Sequence, residues 1–377
     1  MFIITEQKED KIRKNLENRQ DIEALRIKRY LAMADLSRTK GSPINEIIER
    51  VTKLPILKEF DQITIPEIVP ARESFDLFDF PANHPARSKS DTYYVDNEYI
   101  LRTHTTVMWY YYFNLPEIKK KLKEEKKLGV LSYGKVYRKD EIDRNHMNIF
   151  HQVDGLYICP NKDKVITQKD LQDVLVEIAQ SVFGKEIKYR FNPDTFPYTH
   201  DSLEMEVDKG GKWVEVLGAG IVQPSVLAKL GVDSEKYNGW AFGFGLERLA
   251  IISMELPDIR LLWSGDKRVT KQLKLGNKFV EVSKYPSIVR DISFIVKNDF
   301  IPNDYFDLVR ETAPNLVEEV ELLDKYENAE KFGKDNISYA YRITYRSLDK
   351  TLTNSEIDIL HKKIETVTIK IYKAKVR

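Results

Sequence analysis

The hydrophobic and polar positions divide the chain into stretches of different period. Residues 5 to about 37 are highly charged, with scattered apolar positions (Ile12, Leu16, Ile22, Leu25, Ile27, Leu31). They predict a solvated helical extension that breaks at Lys40-Gly41-Ser42-Pro43. A helix follows from Pro43 to Phe60, with proline in its first turn, then a strand from Gln62 to Val69. Asp91–Val95 and Tyr99–Arg102 read as a hairpin closed near Asp96-Asn97, and Val107–Phe113 as an aromatic helical stretch. A strand from Gly134 ends in charge at Arg138-Lys139-Asp140. A polar loop then returns the chain to a strand from Ile149. Leu171–Phe183 is an amphipathic helix with Thr167 as N-cap and Asp170 completing a capping box. In Leu203–Val207, Glu204 and Glu206 share one face and the apolar residues the other.

Gly239–Leu246 has the most unusual alternation. At a period of two, Gly239, Ala241, Gly243 and Gly245 fall on one face, and Trp240, Phe242, Phe244 and Leu246 on the other. Glycine in a strand marks a bend or the close approach of a ligand or backbone. The large face anchors in a core and the bare face leaves room for something flat. The helix that follows carries Arg248 in its first turn, where the helix terminus favours anions.

Beyond Trp263 a polar, lysine-bearing linker runs to about Val282. The remainder reads strand (288–296), helix (303–312), strand (317–323), strand (337–346), helix (354–371) and a short last strand. This β-α-β-β-α-β order is that of a ferredoxin-like domain. The expected organisation is an extension (1–42), a catalytic domain (43–266), a linker (267–283) and a C-terminal domain (284–377). Tyr339, Tyr341 and Tyr345 share one strand face; Arg342 and Arg346 share the other. From Ala340 to Arg377 there are nine Lys/Arg against four Asp/Glu, a local basic excess suited to RNA backbone.

Composition changes this picture little. The 377 residues hold 60 Lys/Arg against 59 Asp/Glu, so any basic surface is local. The single cysteine, Cys159, excludes intramolecular disulfides and cysteine zinc clusters and fits a reducing compartment. No apolar run reaches membrane-span length. The N-terminus lacks a signal-peptide core and carries acids that a mitochondrial presequence avoids. The expected location is the cytoplasm, with a mitochondrial matrix or other organelle as the alternative.

Candidate chemistry gathers around the bare strand. Arg138 closes one strand of a hairpin and Phe150 opens its partner. With Arg248 they make two arginines and one ring, which suits a nucleoside triphosphate bound bent, adenine sandwiched and phosphates clamped. Glu204, Glu206 and Glu215 gather on neighbouring strands. Such carboxylates call for a magnesium ion, an ammonium group or a paired arginine.

These residues together resemble the class II aminoacyl-tRNA synthetases, and among them the single-chain, mitochondrial-type phenylalanyl-tRNA synthetases. Arg138-Lys139-Asp140 with His146, Phe150 and Asp154 resembles class II motif 2, and Gly239–Arg248 resembles motif 3. Phenylalanine-specific marks are His84-Pro85-Ala86-Arg87, Leu101–Thr105, His151-Gln152, Phe196-Pro197-Tyr198-Thr199 and Leu217-Gly218-Ala219-Gly220. The tail resembles a ferredoxin-fold anticodon-binding domain, opening with Lys284-Tyr285-Pro286 and Arg290–Ser293. The resemblance implies an α+β fold, with an antiparallel class II sheet flanked by helices plus the ferredoxin-like domain. It further implies a monomer that activates L-phenylalanine with ATP and magnesium and transfers it to the 3′ end of tRNA(Phe), at the 2′-OH.

By the same resemblance, Arg138 and Arg248 are catalytic. ATP contacts fall to Arg138, Asp140, His146, Phe150, Glu215 and Arg248, and magnesium to Glu206 and Glu215. The amino acid is held by His104, Thr106, Gln152 and Asp154, in a pocket of Phe196, Tyr198, Ala219 and Ala241. Arg342 and Arg346 face tRNA. The chain departs from the family at Trp109 (often glutamine), Thr106 (usually serine), Tyr198 (commonly phenylalanine), His200 (glutamate in multi-subunit enzymes), and at Asp140 and Asp154, shorter than the usual glutamates. No segment is spare for an editing domain, although an apolar pocket rejects an added hydroxyl by only about 10²-fold. Two other readings compete: a binding or regulatory protein on this fold, which would lose a motif arginine, and an adenylating enzyme with a non-tRNA acceptor, which would need no second RNA-reading module.

Overall fold

The structure is a computed structural model that describes residues 1–5, 7–139 and 143–377, with backbone alone for Gln7 and Asn303. The chain forms two compact units, Met1–Phe279 and Val280–Arg377.

Among the described residues, the first unit is built on an eight-stranded sheet. Its strands are β1 (Phe2–Ile3), β2 (Asp61–Thr64), β3 (Leu128–Tyr137), β4 (Ile149–Pro160), β5 (Tyr189–Pro193), β6 (Thr199–Lys209), β7 (Lys212–Val222) and β8 (Tyr237–Gly245). Their spatial order is β1-β2-β3-β4-β8-β7-β6-β5. Pairing is antiparallel from β3 through β5; β1–β2 and β2–β3 are parallel. The glycine-rich strand β8 therefore lies in the middle of the sheet.

Its two faces are used as the alternation demands. Trp240, Phe242 and Phe244 are buried and stack in file at 5.8 Å spacings, continued by Tyr157 and Phe60. Phe242 lies over Gly155, where a Cβ would stand 2.4 Å from its ring. Helices α3 (Pro43–Thr52), α4 (Gln168–Phe183) and α5 (Leu246–Met254) pack against one another beside the sheet, following α1 (Gln7–Asn18) and α2 (Ile22–Ala32). In α3, Ser42 caps the start and Ile44, Ile47, Ile48 and Val51 form one buried stripe. Helix α4 begins with the Thr167–Asp170 capping box.

The N-terminal stretch differs from a solvated extension. It splits at Arg19–Asp21 into α1 and α2, and Ile12, Leu16, Ala24, Ile27 and Tyr30 are buried against Ile68, Tyr93, Leu101 and Tyr137. The scattered apolar positions fall on one side once the helix is broken in two. The stretch expected as one strand from Gln62 to Val69 also divides. Ile68–Pro70 pairs with Tyr99–Leu101 instead of extending β2. The turn at Asp96 forms, with Val95 N–H bonded to the Tyr99 carbonyl, but the expected hairpin is reduced to one Tyr94–Ile100 bridge.

The second unit carries β9 (Ile288–Lys297), α6 (Pro302–Thr312), β10 (Val317–Glu327), β11 (Asn336–Tyr345), α7 (Asn354–Tyr372) and β12 (Lys375–Val376). The sheet order is β10-β11-β9-β12, with all pairs antiparallel. Tyr339, Tyr341 and Tyr345 enter its core with Phe294, Ile357 and Ile364.

Candidate active site

The bare face of β8 lines a cavity of about 370 Å³. Ala241, Gly243 and Gly245 contribute to its wall; Gly239 instead meets the Tyr157 carbonyl on β4, where a Cβ would stand 2.1 Å away. Gly243 is opposite Asp154 on β4 and Gly218 on β7. A Cβ on Gly243 would sit 2.6 Å from the Asp154 carboxylate. The strand is bare there because a carboxylate from the next strand occupies the space.

Of the residues expected to contact ATP, Arg138, His146, Phe150, Glu215 and Arg248 line this cavity. Asp140 lies outside the described residues. The Arg138 guanidinium stands 5.1 Å from the Phe150 ring centre and donates through Nε to the Thr103 carbonyl at 3.0 Å. Arg248 projects from the first turn of α5, half exposed, with Glu215 Oε2 at 3.3 Å. His146 sits at the rim, held to Asp143 at 2.9 Å.

The amino-acid group, namely His104, Thr106, Gln152, Asp154, Phe196, Tyr198, Ala219 and Ala241, also lines the cavity. Its polar members are almost all acceptors. His104 Nε2 lies 3.2 Å from the Ser74 carbonyl, which can only accept, so Nε2 carries the proton. Nδ1 is then a lone-pair acceptor, buried and without a partner. Burial holds this imidazole neutral, its pKa pushed down to about 4, with Arg138 adding to the effect. Gln152 Oε1 is likewise buried and unpartnered. Asp154 accepts the hydroxyls of Thr105 and Thr106, the latter at 2.6 Å. Burial raises its carboxyl to about 6, against the opposing pull of those hydroxyls and of Arg138 and Arg102. Three residues that line one cavity thus carry acceptors, a set that suits a cation with several N–H donors.

The apolar end is a slot. Phe196 and Tyr198 stack at 6.0 Å, Tyr198 is backed edge-on by Trp109 and Phe78, and Gly218 leaves room for Phe196. Ala219 lies on strand β7. Burial raises the Tyr198 phenol above its usual range and keeps it neutral. Phe80 is a wall residue outside the expected set; it lies parallel to His104 at 6.3 Å. The aromatic alternation Phe78-Asp79-Phe80 is the signal that could have found it.

Glu206 is placed elsewhere. It pairs with Arg190 across β5 and accepts from Asn192 at 2.9 Å, outside the cavity. Its cross-strand neighbour Glu215 leans to Arg248. Cations and amides already satisfy both carboxylates. Among the described residues there is no cluster of three acidic, histidine or cysteine side chains that could hold a metal. In the second unit Arg342 makes two 2.9 Å bonds to Asp291, and Arg346 bonds Glu318 at 2.9 Å. The arginines expected to face tRNA are each held in an ion pair.

Comparison with known proteins bears on this geometry. The family described as "tRNA synthetases class II core domain (F)" matches residues 27–273, and "Ferredoxin-fold anticodon binding domain" matches residues 283–377. The mitochondrial phenylalanine–tRNA ligase of Mus musculus is 33% identical over 85% of this chain and 75% of its own length. The chain belongs to the phenylalanine–tRNA ligase family of class II tRNA synthetases. The Dictyostelium discoideum mitochondrial ligase is 35% identical over 78% of this chain and 74% of its own length. The chloroplastic/mitochondrial ligase of Arabidopsis thaliana is 37% identical over 79% and 68%. As a family member the chain is an aminoacyl-tRNA synthetase with a class II core and a ferredoxin-fold anticodon-binding domain. These relatives carry organellar names and lend no support to the expected cytoplasmic location.

Proposed function

We propose that this cavity activates L-phenylalanine with ATP and that the enzyme then esterifies tRNA(Phe). The observation that carries the reading is the meeting, in one cavity, of an acceptor-rich polar cluster, an aromatic slot and two arginines. The ammonium group donates to His104 Nδ1, Gln152 Oε1 and the Asp154 carboxylate. The phenyl ring enters between Phe196, Tyr198 and the small floor of Ala219 and Ala241. Adenine lies between Phe150 and Arg248, and the phosphates extend past Arg138.

The carboxylate oxygen then attacks the α-phosphorus in line, and the bond to pyrophosphate breaks. Arg138 meets the negative charge gathering on the phosphoryl oxygens, and positioning supplies most of the remainder. No side chain is a nucleophile. Magnesium would arrive with the nucleotide phosphates as ligands and neutralise part of their charge. In the second step the 2′-hydroxyl of the terminal ribose attacks the acyl carbon, the bond to AMP breaks, and the departing phosphate takes up the hydroxyl proton.

The C-terminal unit supplies anticodon contact, with Arg342 and Arg346 exchanging Asp291 and Glu318 for phosphate. The enzyme works as a monomer. The names of its relatives favour an organelle as its compartment.

Phenylalanine-dependent ATP–pyrophosphate exchange tests the reading. Exchange with phenylalanine and with no other amino acid is expected. Absence of exchange from folded protein supplied with magnesium would refute it.

A further inference from the structure

At the cavity wall, with Glu247 in the lining and His151 beneath it, lies a second polar arrangement that the activation chemistry does not use. His151 is fully buried on β4, between Phe150 and Gln152. Its Nδ1 stands 2.6 Å from Glu247 Oε1, and its backbone N–H points at both Glu247 oxygens, at 3.0 and 2.8 Å. Glu247 is 3% exposed and immediately precedes Arg248. On the far side, Leu36 N–H donates to His151 Nε2 at 2.9 Å. An imidazole nitrogen that accepts carries no proton, so Nδ1 holds the hydrogen and gives it to Glu247. Trp263 stacks on the ring at 5.5 Å.

The two elements joined by this pair are anchored very differently. Strand β4 is laddered on both sides, to β3 and β8. Helix α5 starts at Gly245 with no side-chain cap. It continues directly from the laddered end of β8, and the Glu247 carboxylate adds a side-chain tie from its first turn, which carries Arg248, to β4.

We propose that His151 and Glu247 are positioning residues that fix the start of α5, and hence Arg248, against the nucleotide half of the cavity. The segment after α2 sets the imidazole tautomer through Leu36. The pair acts on the nucleotide half alone, because the strand that carries Gln152 and Asp154 keeps its ladders without it. This proposal rests on the ATP-binding reading of the cavity.

Calorimetric titration of Mg–ATP and, separately, of phenylalanine into the full chain tests it, using Glu247→Gln, His151→Gln and His151→Asn. In Glu247→Gln the new amide would set a donor against the His151 N–H. The longer amide of His151→Gln would lose the donor at the Nδ1 place, whereas the shorter amide of His151→Asn would retain one near it. With a charged hydrogen bond removed, ATP affinity is expected to fall about tenfold or more in Glu247→Gln and His151→Gln. His151→Asn should stay within about threefold of wild type, and phenylalanine affinity within about twofold throughout, since the residues that hold it lie on an independently held strand. Melting curves show whether each variant is folded. ATP affinity unchanged in folded Glu247→Gln and His151→Gln would overturn the proposal. So would parallel weakening of both ligands, or an ATP affinity in His151→Asn as low as that in His151→Gln. Wild-type protein that binds ATP but catalyses no exchange would refute the ligase reading, and the same titrations would still decide the positioning role.

Discussion

The cavity on the large sheet and the solvent face of the C-terminal sheet both present arginines beside carboxylates. They differ in what is left unsatisfied. On the C-terminal sheet Arg342 and Arg346 hold Asp291 and Glu318, and the surface is complete without a ligand. In the cavity His104 Nδ1 and Gln152 Oε1 are buried with nothing to accept. Each such atom costs about 1–3 kcal/mol until a donor arrives. A cavity that leaves acceptors open and an exposed face that closes its ion pairs separate tight, shape-specific binding of a small molecule from looser, exchangeable contact with a polyanion.

The sharpest way to break this contrast is to remove a cavity arginine. Arg138→Ala or Arg248→Ala is expected to lower kcat/KM for ATP–pyrophosphate exchange by about 10³-fold, because charge on the transferring phosphoryl group loses a fixed cation. Activity within tenfold of wild type would mean that these arginines are as dispensable as surface ones.

Asp154→Asn comes next, with an expected reduction of about 10²-fold in kcat/KM for phenylalanine once the charged acceptor is gone. Its pH dependence has a definite sign. The free enzyme holds the Asp154 carboxyl at about 6 and the His104 imidazolium at about 4. On lowering the pH, Asp154 gains its proton first and ceases to be a full acceptor. kcat/KM, which reports free-enzyme ionisations, should fall below about pH 6, and Asp154→Asn should remove that limb.

Gly243→Ala tests the close approach of strand and carboxylate. Thr105 and Thr106 hold Asp154, so it cannot retreat from a Cβ placed 2.6 Å away. An increase of about tenfold in KM for phenylalanine, with a smaller effect on kcat, is expected from a displaced acceptor.

The smallest effect belongs to the other region. Arg342→Ala with Arg346→Ala should leave exchange unchanged. It should raise KM for tRNA only several-fold and flatten the salt dependence of charging by about one unit of slope for each phosphate no longer neutralised. An effect on exchange would merge the two regions that the comparison separates.

Local rules made much of this fold legible. The Thr167–Asp170 cap, the Leu203–Val207 alternation and the strand and helix order after Ile288 are short-range signals, and the structure realises each of them. The two faces of β8 were readable for the same reason. What could not be read depended on distant partners. Whether Ile12 and Leu16 face water or Ile68 and Tyr93 is decided by the tertiary fold. Tyr99–Leu101 prefers Ile68–Pro70 to its near neighbour because a core lies there. In the site, residue types pointed to the cavity, but not to His104 as a neutral acceptor, nor to Arg190 answering Glu206; both follow from burial and register. Asp140 lies outside the described residues.

The wall behind the aromatic slot has an optical consequence. Trp109, fully buried, stands edge-on to Tyr198, while Trp240 stacks in file on the reverse of β8. Trp213, by contrast, is partly exposed under the Arg190 guanidinium. These three indoles therefore sit in unlike surroundings, and one of them is a single ring away from the place where an aromatic side chain would dock. Emission from Trp109, at the blue edge of the spectrum, should change when the slot fills, giving the protein an intrinsic dye for its own occupancy.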